Sequence, residues 1–65
     1  MESVGERLKR FRGERSQAEI AEKLGISDSA LSFYENNERI PKEEVKIALA
    51  KLYGTTVGYL FYGEK

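Results

Sequence analysis

The sequence predicts an all-α fold of five short helices. Apolar residues recur at helical spacing in five successive segments, and no alternating run is long enough to form a strand. The segments are preceded by capping residues or a proline, and most are followed by a glycine or an asparagine. A chain of 65 residues is long enough for one core only. We therefore expect residues 1–65 to form a single compact five-helix domain.

The first two helices share the same starting signal, a serine followed three residues later by a glutamate. This spacing is typical of a capping box, in which each residue bonds to the backbone N–H of the other. It predicts helices over about residues 4–12 and 17–24. The two pairs are Ser3 with Glu6, and Ser16 with Glu19.

The remaining helices are marked by different signals. The third is predicted over about residues 27–36, and Asn37 is expected in the left-handed conformation that glycine usually adopts. The fourth should start at Pro41 or Lys42, because proline suits the first turn of a helix. A short fifth helix should follow Thr56.

Composition excludes several classes of protein. Cysteine and histidine are both absent, so disulfides, zinc fingers and Cys/His nucleophile pairs cannot form. No apolar run has the length of a membrane span, and no segment resembles a signal peptide. Acid–base catalysis would need carboxylates in a cleft, and five small helices offer little cleft. We expect a cytoplasmic protein without metal or cofactor that is not an enzyme.

Charge gives a mixed indication. The 11 basic and 11 acidic residues cancel, whereas nucleic-acid binders usually carry a basic excess. Five cations nevertheless fall between residues 7 and 15, with Glu14 as the one acid among them. This cluster predicts a local basic face, and the alternative is an ordinary solvated helix surface. The five cations are Arg7, Lys9, Arg10, Arg12 and Arg15.

The stretch from residue 17 to 35 meets the demands of two short helices that cross at a large angle. A small residue is needed where the helices pass closely, and Ala21 stands there. The turn needs a residue that tolerates positive φ, and Gly25 stands there. These features predict a helix-turn-helix over about residues 17–36. The apolar residues spaced to fill the angle are Ile20, Leu24, Ile26, Leu31 and Tyr34.

This stretch resembles the helix-turn-helix of the phage-repressor family, the Cro-like or Xre-type regulators. The matching positions are Ser16-Gln17, Ile20-Ala21, Gly25-Ile26-Ser27, Tyr34-Glu35 and Pro41. The resemblance covers about residues 4–61. It implies a sequence-specific regulator of transcription, a repressor, that binds double-stranded DNA as a homodimer on a roughly palindromic operator. It also implies that Glu35 pairs with Arg12 or Arg10.

The third helix is expected to read DNA. At about 100° per residue, Leu31 and Tyr34 face the core, and the opposite arc would lie in the major groove. The residues expected to contact bases are Asp28, Ser29, Ser32 and Phe33. The serines suit any base, Phe33 a thymine methyl and Asp28 a cytosine amino group. Alternatively, Phe33 packs against a neighbouring helix, and Asp28 only stabilises the helix dipole.

Phosphate contacts would add affinity and make it salt-dependent. Gln17 lies at the N-terminus of the second helix, where backbone N–H groups also attract anions. The resemblance implies a phosphate contact for it as well. For the longer side chains the alternative is a solvated surface. The further candidates are Arg10, Arg12, Lys23, Asn36, Asn37, Arg39 and Lys42.

The C-terminal stretch, residues 57–62, is the most apolar and aromatic in the chain. Aromatic residues are enriched at interfaces, so it predicts a dimer contact, and the alternative is a tail that closes the monomer core. The predicted interface residues are Tyr59, Leu60, Phe61 and Tyr62. A second function also stays open. Zero net charge and a third helix without basic residues favour a protein-interaction module, such as an antitoxin-like or anti-repressor partner.

Overall fold

Five α-helices make up the fold in the computed structural model, which describes residues 1–64. They are α1 Val4–Arg12, α2 Gln17–Leu24, α3 Asp28–Glu35, α4 Glu43–Leu52 and α5 Val57–Tyr62. Residues 1–64 contain no strand, and none of their helices is long and apolar enough to cross a bilayer. The all-α prediction is confirmed. The fourth helix begins later than predicted, because Pro41 is buried before it and Lys42 is its extended N-cap.

The predicted caps form at both of the first two helices, but only one is a complete capping box. The Oγ of Ser3 accepts from the N–H of Glu6, whose carboxylate accepts from the N–H of Ser3 at 2.8 Å. Ser16 likewise accepts from the N–H of Glu19. The carboxylate of Glu19 lies 3.9 Å from Lys23 Nζ instead, one turn along the same helix. The reciprocal box predicted for α2 is therefore wrong.

The core takes one fully buried aliphatic side chain from every helix. These residues are Leu8, Ile20, Leu31, Leu49 and Leu60. Helix α1 packs against α3 and α5, while α2 packs against α3 and α4. The pair formed by α2 and α3 thus packs against α1 through α3 and against α4 through α2. The face of α3 opposite Leu31 is left outside the core.

Tyr53 brings an unpaired polar atom into this core. Its ring stacks on Phe11 with 5.9 Å between centroids, and the guanidinium of Arg15 lies 5.4 Å from the ring centroid. Its hydroxyl is buried and has no hydrogen-bond partner within residues 1–64. Desolvation, followed by the charge of Glu35, raises the pKa of Tyr53 to about 12.

Tyr53→Phe is expected to raise the free energy of unfolding by about 1 kcal/mol, because it removes a desolvated hydroxyl and keeps the ring. The unfolded tyrosine ionises near pH 10, below the folded pKa of about 12. Ionisation of Tyr53 therefore costs the wild type no stability below pH 10. As the pH rises toward 12 the unfolded state ionises first, and the free energy of unfolding falls. The variant should lack this alkaline loss. Urea denaturation of both proteins at about pH 7 and pH 11 measures the two effects, and a less stable variant at pH 7 would contradict the prediction.

Candidate nucleic-acid interface

The turn between α2 and α3 adopts the conformation that its residues favour. Gly25 is left-handed, with φ 71° and ψ 30°, and its N–H donates to the carbonyls of Ala21 and Glu22. The N–H of Ile26 donates to the Ala21 carbonyl at 3.0 Å, which completes a Schellman motif. Ala21 is fully buried, so a larger side chain there would have to displace its neighbours. Ser27 then caps α3, and the chain enters this helix in a fixed direction.

Helix α3 divides into an inner and an outer arc, as its periodicity predicts. Leu31 is buried, and Tyr34 packs against the core. The outer arc consists of Asp28, Ser29, Ser32 and Phe33. The first two are exposed and the last two are half-buried. The structure therefore brings all four predicted base-contacting residues onto one accessible edge.

Phe33 has a partner that sequence reasoning missed. The guanidinium carbon of Arg39, in the loop after α3, lies 4.6 Å from the centroid of the Phe33 ring. The carbonyl of Phe33 also accepts N–H groups from Glu38 at 2.9 Å and from Arg39 at 3.3 Å. The ring thus contacts a cation from the following loop. The sequence had predicted that it faces the DNA groove or packs against a neighbouring helix.

Glu35 joins three helices from a buried position. Its carboxylate accepts from Arg12 Nε at 2.7 Å and Nη2 at 2.9 Å, and from Gln17 Nε2 at 2.9 Å. Hydrogen bonding to this carboxylate raises the pKa of Arg12, against the opposing effect of desolvation. The expected ion pair is present, with Arg12 rather than Arg10 as the partner. Both Arg12 and Gln17, predicted as phosphate contacts, therefore already bind a carboxylate within the chain.

The basic face predicted on the first helix is wrong for most of its cations. Arg7 is buried, and its Nη1 donates to the Leu60 carbonyl at 2.9 Å. Arg10 binds Glu2 at 2.7 Å and, through its hydrogen bond, lowers the pKa of that carboxyl. Arg15 donates to two carbonyls at the end of α1. Carbonyls at helix C-termini attract cations, so Arg7 and Arg15 bind the ends of α5 and α1, while Arg10 forms an ion pair at the surface.

Asn37 has the left-handed conformation expected of it, with φ 61°. Its amide is also held by the start of α1: Oδ1 accepts from the N–H of Gly5 at 2.9 Å, and Nδ2 donates to Ser3 Oγ at 3.1 Å. This engagement within the chain opposes its predicted use as a phosphate contact. Arg10 and Asn37 are exposed but bind groups elsewhere in the chain. The other exposed candidates are Lys23, Asn36, Arg39 and Lys42.

Gly5 is a second residue that sequence reasoning missed. A Cβ at this position would clash with the carbonyl oxygen of Glu35 and crowd the side-chain amide of Asn37. Glycine therefore lets α1 approach the end of α3. A glycine in the first turn of a helix gave no signal of this contact, because the Glu35 backbone that it meets lies far along the chain.

The C-terminal aromatic stretch mainly closes the core. Leu60 is fully buried and Phe61 is 6% exposed, so their assignment to a dimer interface is wrong. Tyr59 is half-buried, and its hydroxyl accepts from Arg10 Nη2. Tyr62 is 62% exposed and, with Ile40 at 82%, borders a groove of about 400 Å³. Of the four predicted residues, Tyr62 is the one left well exposed.

Comparison with known proteins identifies relatives along most of the chain. Residues 8–60 match the family model described as helix-turn-helix. The HTH-type transcriptional regulator ImmR of Bacillus subtilis (strain 168) is 40% identical over 60 residues. This match covers 89% of the present chain and 47% of ImmR, so the chain spans about half the length of that relative.

Two solved structures have the same fold. The P22 c2 repressor in complex with synthetic operator 9T in the presence of Tl⁺ matches with a TM-score of 0.92 and 30% identity, over 98% of this chain and 100% of that one. The solution structure of the DNA-binding domain of the P22 c2 repressor matches with a TM-score of 0.83 and 31% identity, over 91% and 80%. These proteins are named as regulators and repressors, and not as enzymes.

Proposed function

This chain belongs to the helix-turn-helix family, and from that premise we propose that it binds double-stranded DNA and represses transcription by occupying an operator. The outer arc of α3 carries the proposal, because it combines exposed polar side chains with a rigid attachment to the core. We place this arc in the major groove, with its N-terminal end nearest the bases. The match to a repressor in complex with a synthetic operator supports the binding of operator DNA.

Phosphate contacts are proposed for the exposed side chains at the edges of this arc. They are Lys23, Asn36, Arg39 and Lys42. Gln17 joins them, because its Nε2 has a second hydrogen beyond the one given to Glu35, and because the first N–H groups of α2 attract anions. Arg10 and Arg12 are left out, since each is hydrogen-bonded to a carboxylate within the chain at 2.7 Å, whereas Lys23 lies 3.9 Å from Glu19, beyond hydrogen-bond distance.

A duplex selected from a randomised library and titrated at two salt concentrations tests the proposal. With three cationic phosphate contacts per copy, the affinity of one copy should fall about 40-fold between roughly 50 and 200 mM salt. A control duplex of shuffled sequence should bind far more weakly. Failure of every duplex to bind at low salt would contradict DNA binding.

Ser29→Ala is expected to weaken binding to the selected duplex by about 1–3 kcal/mol and to leave binding to the shuffled duplex nearly unchanged. Ser29 is exposed at the start of α3, where its hydroxyl can reach a base edge. Lys42→Gln serves as the comparison, because it should weaken both duplexes and reduce the salt slope by about 1. Equal losses on both duplexes for Ser29→Ala would show that Ser29 reads no base.

Dimerisation on the operator is part of the proposal. Tyr62 and Ile40 expose apolar surface beside one groove, and we propose that a second copy covers it. Two copies would then bind half-sites about 34–36 Å apart. Sedimentation of the protein with a duplex carrying one or two half-sites measures the stoichiometry, and one copy on the palindromic duplex would contradict the dimer.

A protein-interaction module is the second candidate function. The zero net charge favours it, as does the use of the α1 arginines within the fold. The titration at low salt separates the two candidates, since an interaction module would bind no duplex.

A further inference from the structure

Phe33 is the one large apolar side chain on the outer arc of α3. It is half-buried, and the guanidinium of Arg39 lies against its ring at 4.6 Å from the centroid. At this distance a cation is attracted to the face of an aromatic ring. The contact with Arg39 therefore restricts the position of the Phe33 ring on the arc that we propose contacts the bases.

The backbone places Arg39 where this contact can form. The Phe33 carbonyl accepts the N–H groups of both Glu38 and Arg39, so the loop folds back over the end of α3. Asn37 makes the turn with its φ of 61°, and its side chain is held by the N–H of Gly5. The backbone of Arg39 is thus held in a position that α1 and α3 define together, and less conformational freedom is lost when its side chain contacts the ring.

Contact with the ring leaves N–H donors of the guanidinium available. An arginine has five N–H donors, more than one contact with a ring can engage. Among residues 1–64 the Arg39 guanidinium takes part in no ion pair, whereas Arg7, Arg10 and Arg12 all do. The same side chain is therefore suited to hold the ring and to bind a phosphate oxygen.

Building on the proposed function, we infer that Arg39 is a positioning residue that sets Phe33 against the C5-methyl group of a thymine in each half-site. Arg39 lies against the ring, and the part of the ring that it leaves accessible contacts the methyl group. The Arg39 guanidinium also binds a neighbouring phosphate, so the position of the Phe33 ring is set relative to the DNA backbone. Base reading and phosphate binding are then one coupled unit at this corner of α3.

Replacement of each thymine in turn by deoxyuridine tests the inference, because this change removes only the C5-methyl group. The probe is a duplex selected from a randomised library by the wild-type chain. One thymine in each half-site should show about a fourfold loss of affinity, the value of one buried methyl group. The loss at this position should disappear in Phe33→Ala, with circular dichroism confirming that the variant is folded.

Arg39→Lys separates positioning from charge. Lysine keeps the positive charge and the salt slope but lacks the planar group that lies on the ring. The loss of affinity caused by replacing the contacted thymine with deoxyuridine, called the uracil effect below, should shrink from about fourfold to less than twofold in this variant. In Phe33→Leu no aromatic ring remains for Arg39 to position. Adding Arg39→Lys to that variant should therefore leave its loss of affinity on thymine-to-deoxyuridine replacement unchanged. Lys42→Gln is the matched control, because it should weaken all duplexes and keep the full uracil effect.

The outcomes distinguish this inference from the function on which it rests. A chain that binds no duplex overturns both. A chain that binds specifically but responds to uracil at no position overturns the inference alone. A full uracil effect in Arg39→Lys shows that Arg39 does not position the ring, and also overturns it.

Discussion

Glu35→Ala is expected to lower the free energy of unfolding by about 3–5 kcal/mol, which would leave much of the protein unfolded at room temperature. The Glu35 side chain is fully buried and accepts from both Arg12 and Gln17. Its removal would leave the Arg12 guanidinium, only 20% exposed, without a counter-charge. Breaking a buried ion pair costs more than the pair contributes, because one charge stays desolvated.

Urea denaturation followed by circular dichroism measures this loss. Glu44→Ala, at an exposed position of α4, is the matched control and should change stability by less than about 0.5 kcal/mol. The double variant Arg12→Met with Glu35→Leu should recover most of the loss, since it leaves no unpaired charge inside. A loss below about 1 kcal/mol for Glu35→Ala would show that the three helices are held by apolar packing instead.

The helices could be predicted because their signals are local. A serine cap acts on an N–H three residues away, and a left-handed residue ends a helix within one turn. Gly25 and Asn37 act over such short distances, and the structure shows each with the positive φ expected of it. The division of α3 into two arcs follows equally from its 3.6-residue period. The accessible outer arc of α3 was therefore predictable from neighbouring residues alone.

The roles of the long cations could not be predicted, because they depend on distances through space. Arg7 reaches the carbonyl of Leu60, 53 residues along the chain. The sequence shows its charge but not this partner, so it was assigned to a basic face. Arg39 next to Phe33 has the same explanation, since the contact exists only once the intervening turn is folded. The structure shows that the arc of α3 expected outside the core is accessible, whereas the side chains that contact this arc could be identified only from the structure.

Close approach of backbones is equally invisible in the sequence, and Gly5→Ala should show its strength with a loss of about 3 kcal/mol. The added methyl group would meet the carbonyl of Glu35, which no change of rotamer can move. Helix α1 would have to withdraw from the end of α3. The hydrogen bond between the Gly5 N–H and Asn37 would lengthen or break with it.

Gly58→Ala adds the same methyl group but is expected to raise the stability of the protein, whereas Gly5→Ala lowers it. A Cβ at Gly58 would meet only the side chain of Glu64, which can rotate away. Replacing a helical glycine by alanine should then stabilise α5 by about 0.5–1 kcal/mol, because the unfolded chain loses freedom. Thermal denaturation of the two variants beside the wild type measures both shifts. If the two substitutions shifted the melting temperature alike, the glycine at position 5 would be a matter of helix propensity, and the tight contact between α1 and α3 would not constrain the fold.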